Sequence, residues 1–123
     1  MEKQGNKNRS VGMVYEQRAA EFLEEQGYQI LHRNFHSRYG EIDLVARQGK
    51  TLVFLEVKYR KDETGGHPLE AVDWRKQRRI CKTALYYCLR CGYGETMPCR
   101  FDVIGILGEE IIHVEDAFYY SGG

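Results

Sequence analysis

The sequence has no apolar run long enough to cross a membrane, no surplus of charge of either sign, no internal repeat and no low-complexity tract. A bilayer core calls for about 20 consecutive apolar residues, so a membrane role is set aside. Eighteen Lys and Arg balance eighteen Asp and Glu, so net charge alone steers nothing toward nucleic acid. The opening MEKQGNKNRS has lysines but no apolar stretch behind them, and a secretory leader is not expected. Four cysteines occur, at 81, 88, 91 and 99, and only Cys88 and Cys91 form a CxxC. Without a second pair at zinc-ribbon spacing, they read as small hydrophobes on or near a helix face. Free thiols fit a reducing compartment, and the expected location is cytoplasmic.

What is present is an ordinary globular composition, 42% hydrophobic and 29% charged over 123 residues, which suits one core. Residues 1–10 read as a disordered polar tail, 11–118 as one domain and 119–123 as a C-terminal tail. Ser10 is placed to cap a first helix that stops at Gly27. On it Val11, Tyr15, Ala19, Phe22 and Leu23 share one face, while Glu16 stands at the border of that stripe, beside Ala19, Ala20 and Leu23. From position alone Glu16 reads as a border acid in a salt bridge. Strands are expected at 28–35, 41–47, 51–60, 100–107 and 111–114. A second helix, capped by Asp73, runs to Cys91 with Ile80, Ala84, Tyr87 and Cys91 as its apolar stripe. The order α-β-β-β-α-β-β predicts an α/β fold, a mixed sheet flanked by helices, because the β-α-β step requires a crossover.

The stretch YGEIDLVARQGKTLVFLEVK carries charge where strands normally exclude it. If Gly49-Lys50 turns a hairpin, paired positions sum to 99 and Asp43 falls opposite Glu56. Lys58, two residues on, shares that face. Two facing carboxylates repel; Mg²⁺ or Mn²⁺ between them relieves this with hard oxygen ligands. A nearby ammonium then suits phosphodiester cleavage. The structural alternative pairs Asp43 with Lys58 or Arg60 and leaves Glu56 at a wet strand end.

Asp43 followed after twelve residues by Glu56-Val57-Lys58 resembles the signature of the restriction-endonuclease-like nucleases, although Ile42 stands where that signature's name places a proline. Together with Tyr15-Glu16 and RFDVIGI, it resembles the YraN family of bacterial proteins over roughly residues 11–118. That family is commonly described as predicted endonucleases, similar to archaeal Holliday-junction resolvases. The resemblance implies a restriction-endonuclease-like fold, a Mg²⁺ or Mn²⁺ site and a nucleic-acid partner, with DNA in branched or structured form expected. It further implies that Asp43, Glu56 and Glu16 are the metal-binding acids and Lys58 their catalytic partner. Junction work would call for a homodimer. The alternative function is an inactive nucleic-acid-binding or scaffold protein on the same fold.

Phosphate contacts are expected from Arg75, Arg78, Arg79 and Lys82 on the outer side of the second helix. Lys76 and Gln77 flank its apolar stripe and read either as further nucleic-acid contacts or as reaching toward the sheet. There the resemblance to such nucleases implies a lysine or glutamine of this helix near the active site. A second basic stretch holds His32, Arg33, His36 and Arg38. Either run also reads as a solvated face. Trp74 and Tyr59 read as core or loop packing, with base stacking as the alternative. Glu41 and Asp102 stay open between a site role and pairing with an arginine, and His67 has no assigned partner.

Overall fold

The continuous run Leu52 to Leu55 has no wet face: all four side chains are buried, and both sides of the strand that carries them are covered. Residues 3–62, 64, 66 and 72–119 are described by the computed structural model, with side chains from Gly12 onward. His67, Pro68 and residues 120–123 lie outside the described residues. The elements are α1 (Lys3–Glu25), β1 (Gln29–Ser37), β2 (Gly40–Gln48), β3 (Thr51–Arg60), α2 (Trp74–Arg90), β4 (Cys99–Leu107) and β5 (Glu110–Phe118). The expected mixed sheet is present. Its strands lie in the order β1-β2-β3-β4-β5, antiparallel except for the parallel β3–β4 pair that the α2 crossover requires.

Alternation along β3 feeds two cores. Leu52 and Phe54 pack with Ile80, Ala84 and Tyr87 of α2. Val53 and Leu55 pack with Ala19, Ala20 and Leu23 of α1. Both helices end in the same way. Gly27, at φ 95°, lets Tyr28 N–H reach Leu23 O at 3.0 Å. Gly92, at φ 82°, lets Tyr93 N–H reach Cys88 O at 2.8 Å. This is the glycine-terminated cap that satisfies the last carbonyls of a helix. At the start of α2, Asp73 Oδ1 accepts Lys76 N–H at 3.0 Å, as expected of a cap. That bond also fixes the turn that carries Lys76.

Some expectations change. The first helix begins at Lys3, so Ser10 lies inside it and does not cap it; Lys and Gln extend helices readily. Cys91 is exposed, because α2 ends at Arg90 and turns the thiol away from the stripe. β5 is much longer than 111–114. Its acidic second half hid it, and Asp116 adopts φ 55° there with its N–H on Asp102 Oδ1 at 2.9 Å.

Candidate functional site

The β2–β3 ladder follows the predicted register, from Gln48↔Thr51 to Leu44↔Leu55. One step further Asp43 and Glu56 come level, and there the strands part. Strict alternation would put Ile42 on the α1 side with Leu44 and Ala46; it packs instead with Val45 in the α2-side core. The chain therefore rotates at Asp43. In place of a ladder bond, Asp43 Oδ2 accepts Val57 N–H at 2.8 Å. The carboxylate sits in the fork between two diverging strands.

Glu56 lies on the α2 side of β3 and is only 5% exposed, so it is no wet strand end. Its Oε2 receives Lys76 Nζ at 2.8 Å and Lys58 Nζ at 3.5 Å. One lysine comes from the same strand two residues on, the other from the first turn of α2. On the opposite side of the fork, Glu16 of α1 accepts Asn34 Nδ2 at 2.7 Å and shares a side-chain hydrogen bond with Asp43. This polar link replaces the salt bridge that position alone suggested. Glu16 and Asp43, but not the buried Glu56, open onto a cleft of about 760 Å³ lined also by Gly12, Met13, Asn34, His36 and Glu41.

Burial and its neighbours push Asp43 up to about 8: desolvation acts most, then Glu56, with Glu16 adding, against the Val57 N–H and Lys58. Glu16 is also raised, by burial first, with its bonds to Asn34 and Asp43 opposing. Burial and the adjoining Lys76 lower Lys58. Lys76 is raised, because its bonds to Glu56 and Lys58 outweigh the cost of burial. The fork thus holds more negative charge than its two lysines offset, and Asp43 relieves the excess by keeping a proton. Of the two ammonium groups, Lys58 gives up its proton more readily.

The chemistry of the donors fits a small divalent cation: hard carboxylate oxygens, one of them short of positive charge, beside an open cleft with room for water ligands. As arranged here, no three of the described His, Cys, Asp and Glu side chains form a ready metal-binding group. Glu56 is held by lysines, and Glu16 and Asp43 are bonded to each other. Asp43 and Glu56 would be the holders, with Glu16 behind them.

Asn34 is the residue that sequence reading passed over. It adopts φ 54°, a conformation asparagine tolerates better than most residues. It lies on β1 between the Arg33↔Leu44 and Phe35↔Ile42 pairs, across from Asp43. Only the strand register could have drawn attention to it. Glu41 pairs with His36 at 3.2 Å and lines the cleft. Asp102 is remote from the fork in its bonding: it takes Arg100 Nη2 and His113 Nε2, each at 2.8 Å. Gln77 donates to Val72 O at 3.2 Å, so it serves the helix start while Lys76 reaches the acids. Arg75, Arg79 and Lys82 are exposed on α2. Arg33 donates to Gln17 at 2.6 Å and Arg38 to Tyr39 Oη at 3.0 Å. Trp74 is 60% exposed, with the guanidinium groups of Arg75 and Arg78 over its ring at 5.6 and 6.0 Å; core packing is excluded. Tyr59 stacks on Tyr15 at 3.7 Å.

Residues 15–106, which include every member of the fork, match the uncharacterised protein family UPF0102. The chain belongs to this family. UPF0102 is the YraN family to which the motifs pointed. Among similar members, a UPF0102 protein of Lachnoclostridium phytofermentans is 53% identical over 87% of this chain and 91% of its own. One from Symbiobacterium thermophilum is 50% identical over 80% and 83%. One from Chromohalobacter salexigens is 44% identical over 88% and 86%. The match to UPF0102 therefore extends over most of the chain, with the fork, the second half of α1 and all of α2 included. No described helix is long and apolar enough to cross a membrane.

Proposed function

We propose that this UPF0102 chain is a metal-dependent nuclease that hydrolyses phosphodiester bonds in cytoplasmic nucleic acid, with structured or branched DNA as its substrate. The observation that supports this reading is the fork itself. Asp43, Glu56 and Glu16 come from three separate elements to the fork, beside two lysines, and Asp43 is pushed up to about 8 by burial first and by Glu56 next. A core that gathers acids at such a cost has a use for a cation.

Mg²⁺ or Mn²⁺ bound there supplies a polarised water and charge neutralisation for the phosphate. The chain's own groups do the rest. Asp43 and Glu56 hold the cation, and Glu16, anchored by Asn34, orients Asp43. Lys76 keeps Glu56 in place and adds fixed positive charge. Lys58 stabilises charge that develops on the phosphate, a contribution typically worth about 10²–10³ in rate. The exposed Arg75, Arg79 and Lys82 face of α2 contacts the backbone of the nucleic acid, and a four-way junction would be met by a two-fold dimer.

One observation favours the second reading, a binding or scaffold protein without catalysis. The 2.8 Å Lys76–Glu56 bond already neutralises one of the two cation-holding carboxylates. The deciding experiment incubates the protein with four-way junctions, flaps and single strands in Mg²⁺ and in Mn²⁺. Cleavage that disappears in Lys58→Met supports the nuclease. Binding of those substrates without cleavage under either metal establishes the scaffold.

A further inference from the structure

Away from the fork, the other end of α2 holds two sulfurs in contact. Cys88 Sγ and Cys99 Sγ are 3.9 Å apart. Cys88 sits on the buried face of α2, 4% exposed, whereas Cys99 opens β4 and is exposed. Both line a cavity of about 310 Å³ with Ala84, Leu85, Met97 and Phe101, which gives a small oxidant a path to the pair. Cys99 Sγ also reaches Met97 O at 3.3 Å. A zinc site is a poor fit, because two thiols fall short of the four ligands that structural zinc takes and no third donor completes a group among the described residues.

We propose that Cys88 and Cys99 are a reversible redox pair that closes to a disulfide on exposure to a peroxide. The accessible Cys99 sulfur attacks one peroxide oxygen. The O–O bond breaks, and the other oxygen leaves with the thiol proton as water. Cys99 is then a sulfenic acid. The Cys88 sulfur attacks the Cys99 sulfur; the S–S bond forms, the S–O bond breaks, and hydroxide leaves with the Cys88 proton as a second water. Two thiols are oxidised and one peroxide is reduced to two waters. A dithiol such as dithiothreitol reverses the bond by exchange.

The geometry supports this order of events. The sulfurs must approach by roughly 1.9 Å to reach a bond of about 2.05 Å. Cys99 is the first residue of β4, at the end of its ladder in the Leu52↔Cys99 pair, and follows the irregular stretch 93–98. The hydrogen bond from Cys88 holds the Cys99 thiol below its ordinary range, while that same contact and burial push Cys88 up. The exposed sulfur is thus the readier nucleophile, and the buried one resolves the sulfenic acid.

The test treats the reduced full chain with hydrogen peroxide, alkylates remaining thiols and maps the products by mass spectrometry. Trypsin releases Thr83–Arg90 with Cys88 and Cys91–Arg100 with both Cys91 and Cys99, so the linkage is read by fragmentation and again in Cys91→Ser. The expected product is a Cys88–Cys99 link, lighter by two hydrogens, retained in Cys91→Ser and reversed by dithiothreitol. Cys88→Ser should instead yield Cys99 sulfenic acid trapped by dimedone. The link should also raise the Tm, by only roughly 5–10 °C because the loop it closes is short and little entropy is removed from the unfolded chain. A Cys88–Cys91 link in the native protein, or Cys99 passing to sulfinic acid with Cys88 still alkylatable, overturns the proposal.

Discussion

Lys76 Nζ stands closer to Glu56 Oε2, at 2.8 Å, than does Lys58 Nζ, at 3.5 Å, although Lys58 is the lysine of the same strand. The two ammonium groups crowd one carboxylate, and they divide the labour unequally. Lys76 is raised and stays charged, while Lys58 is lowered by burial and by Lys76. Their replacements should therefore separate. Lys58→Met should lose roughly 10²–10³ in cleavage rate with metal binding retained. Lys76→Met should instead free Glu56 Oε2 from its competing ammonium and raise metal affinity. Single-turnover cleavage paired with Mn²⁺ calorimetry distinguishes them, and equal rates for wild type and Lys58→Met would remove that lysine from the mechanism.

Asp43 and Glu56 should respond to neutralisation in opposite directions. Asp43 is raised from 3.8 to about 8, so between those values the folded state holds a proton that the unfolded state has lost. Stability accordingly falls as pH rises through that window, by up to about 1.4 kcal/mol per pH unit. Asp43→Asn keeps an acceptor for Val57 N–H and escapes this loss. Its Tm should exceed that of wild type by several degrees at pH 8, with the gap closing near pH 4. Glu56→Gln strips two lysines of their partner and should cost about 1–3 kcal/mol. Thermal melts across pH, without metal, check both.

Mn²⁺ should compete with the Asp43 proton. Affinity is expected to climb about tenfold per pH unit below pH 8 and level off above it. Asp43→Asn should abolish the binding, and chelation should return the wild-type Tm to its metal-free value. Calorimetric affinity that is flat from pH 6 to pH 9 would place the cation elsewhere.

On the outer face of α2, Arg75, Arg79 and Lys82 are expected to reduce the salt dependence of nucleic-acid binding when replaced by alanine. The slope should change by about one unit for each phosphate that is no longer neutralised. Unchanged affinity of the triple variant at every salt concentration would mark the helix as a solvated face.

Asp102 has the opposite pH signature to Asp43. Burial opposes its ionisation, but bonds from His113, Arg100 and the Asp116 N–H outweigh it and lower its pKa. Its stabilisation is present above the unfolded value of 3.8 and is lost as pH falls through the folded value. Asp102→Asn should cost roughly 3–5 kcal/mol at pH 7, as loss of one partner of a buried pair does, and little at acid pH. It should leave metal binding intact, which a denaturant curve and a Mn²⁺ titration together establish.

Much of this was decided locally. Period-two and helical spacing located seven elements in order, and the Gly49-Lys50 turn set a register that holds to Leu44↔Leu55, because a hairpin transmits its turn to every later pair. That register brought Asp43 level with Glu56 from sequence alone. What the sequence left undecided depends on parts of the chain that meet only after folding. The rotation at Ile42–Asp43 follows from packing Ile42 against α2. Lys76 reaches Glu56 only because the crossover lays the first turn of α2 over β3, and neither Asn34 nor Glu16 has any sequence neighbour in the fork. The contact between Cys88 and Cys99 likewise comes from α2 lying over the start of β4. Side-chain period says which face a residue occupies; only the stacking of helix on sheet says which other residues share it.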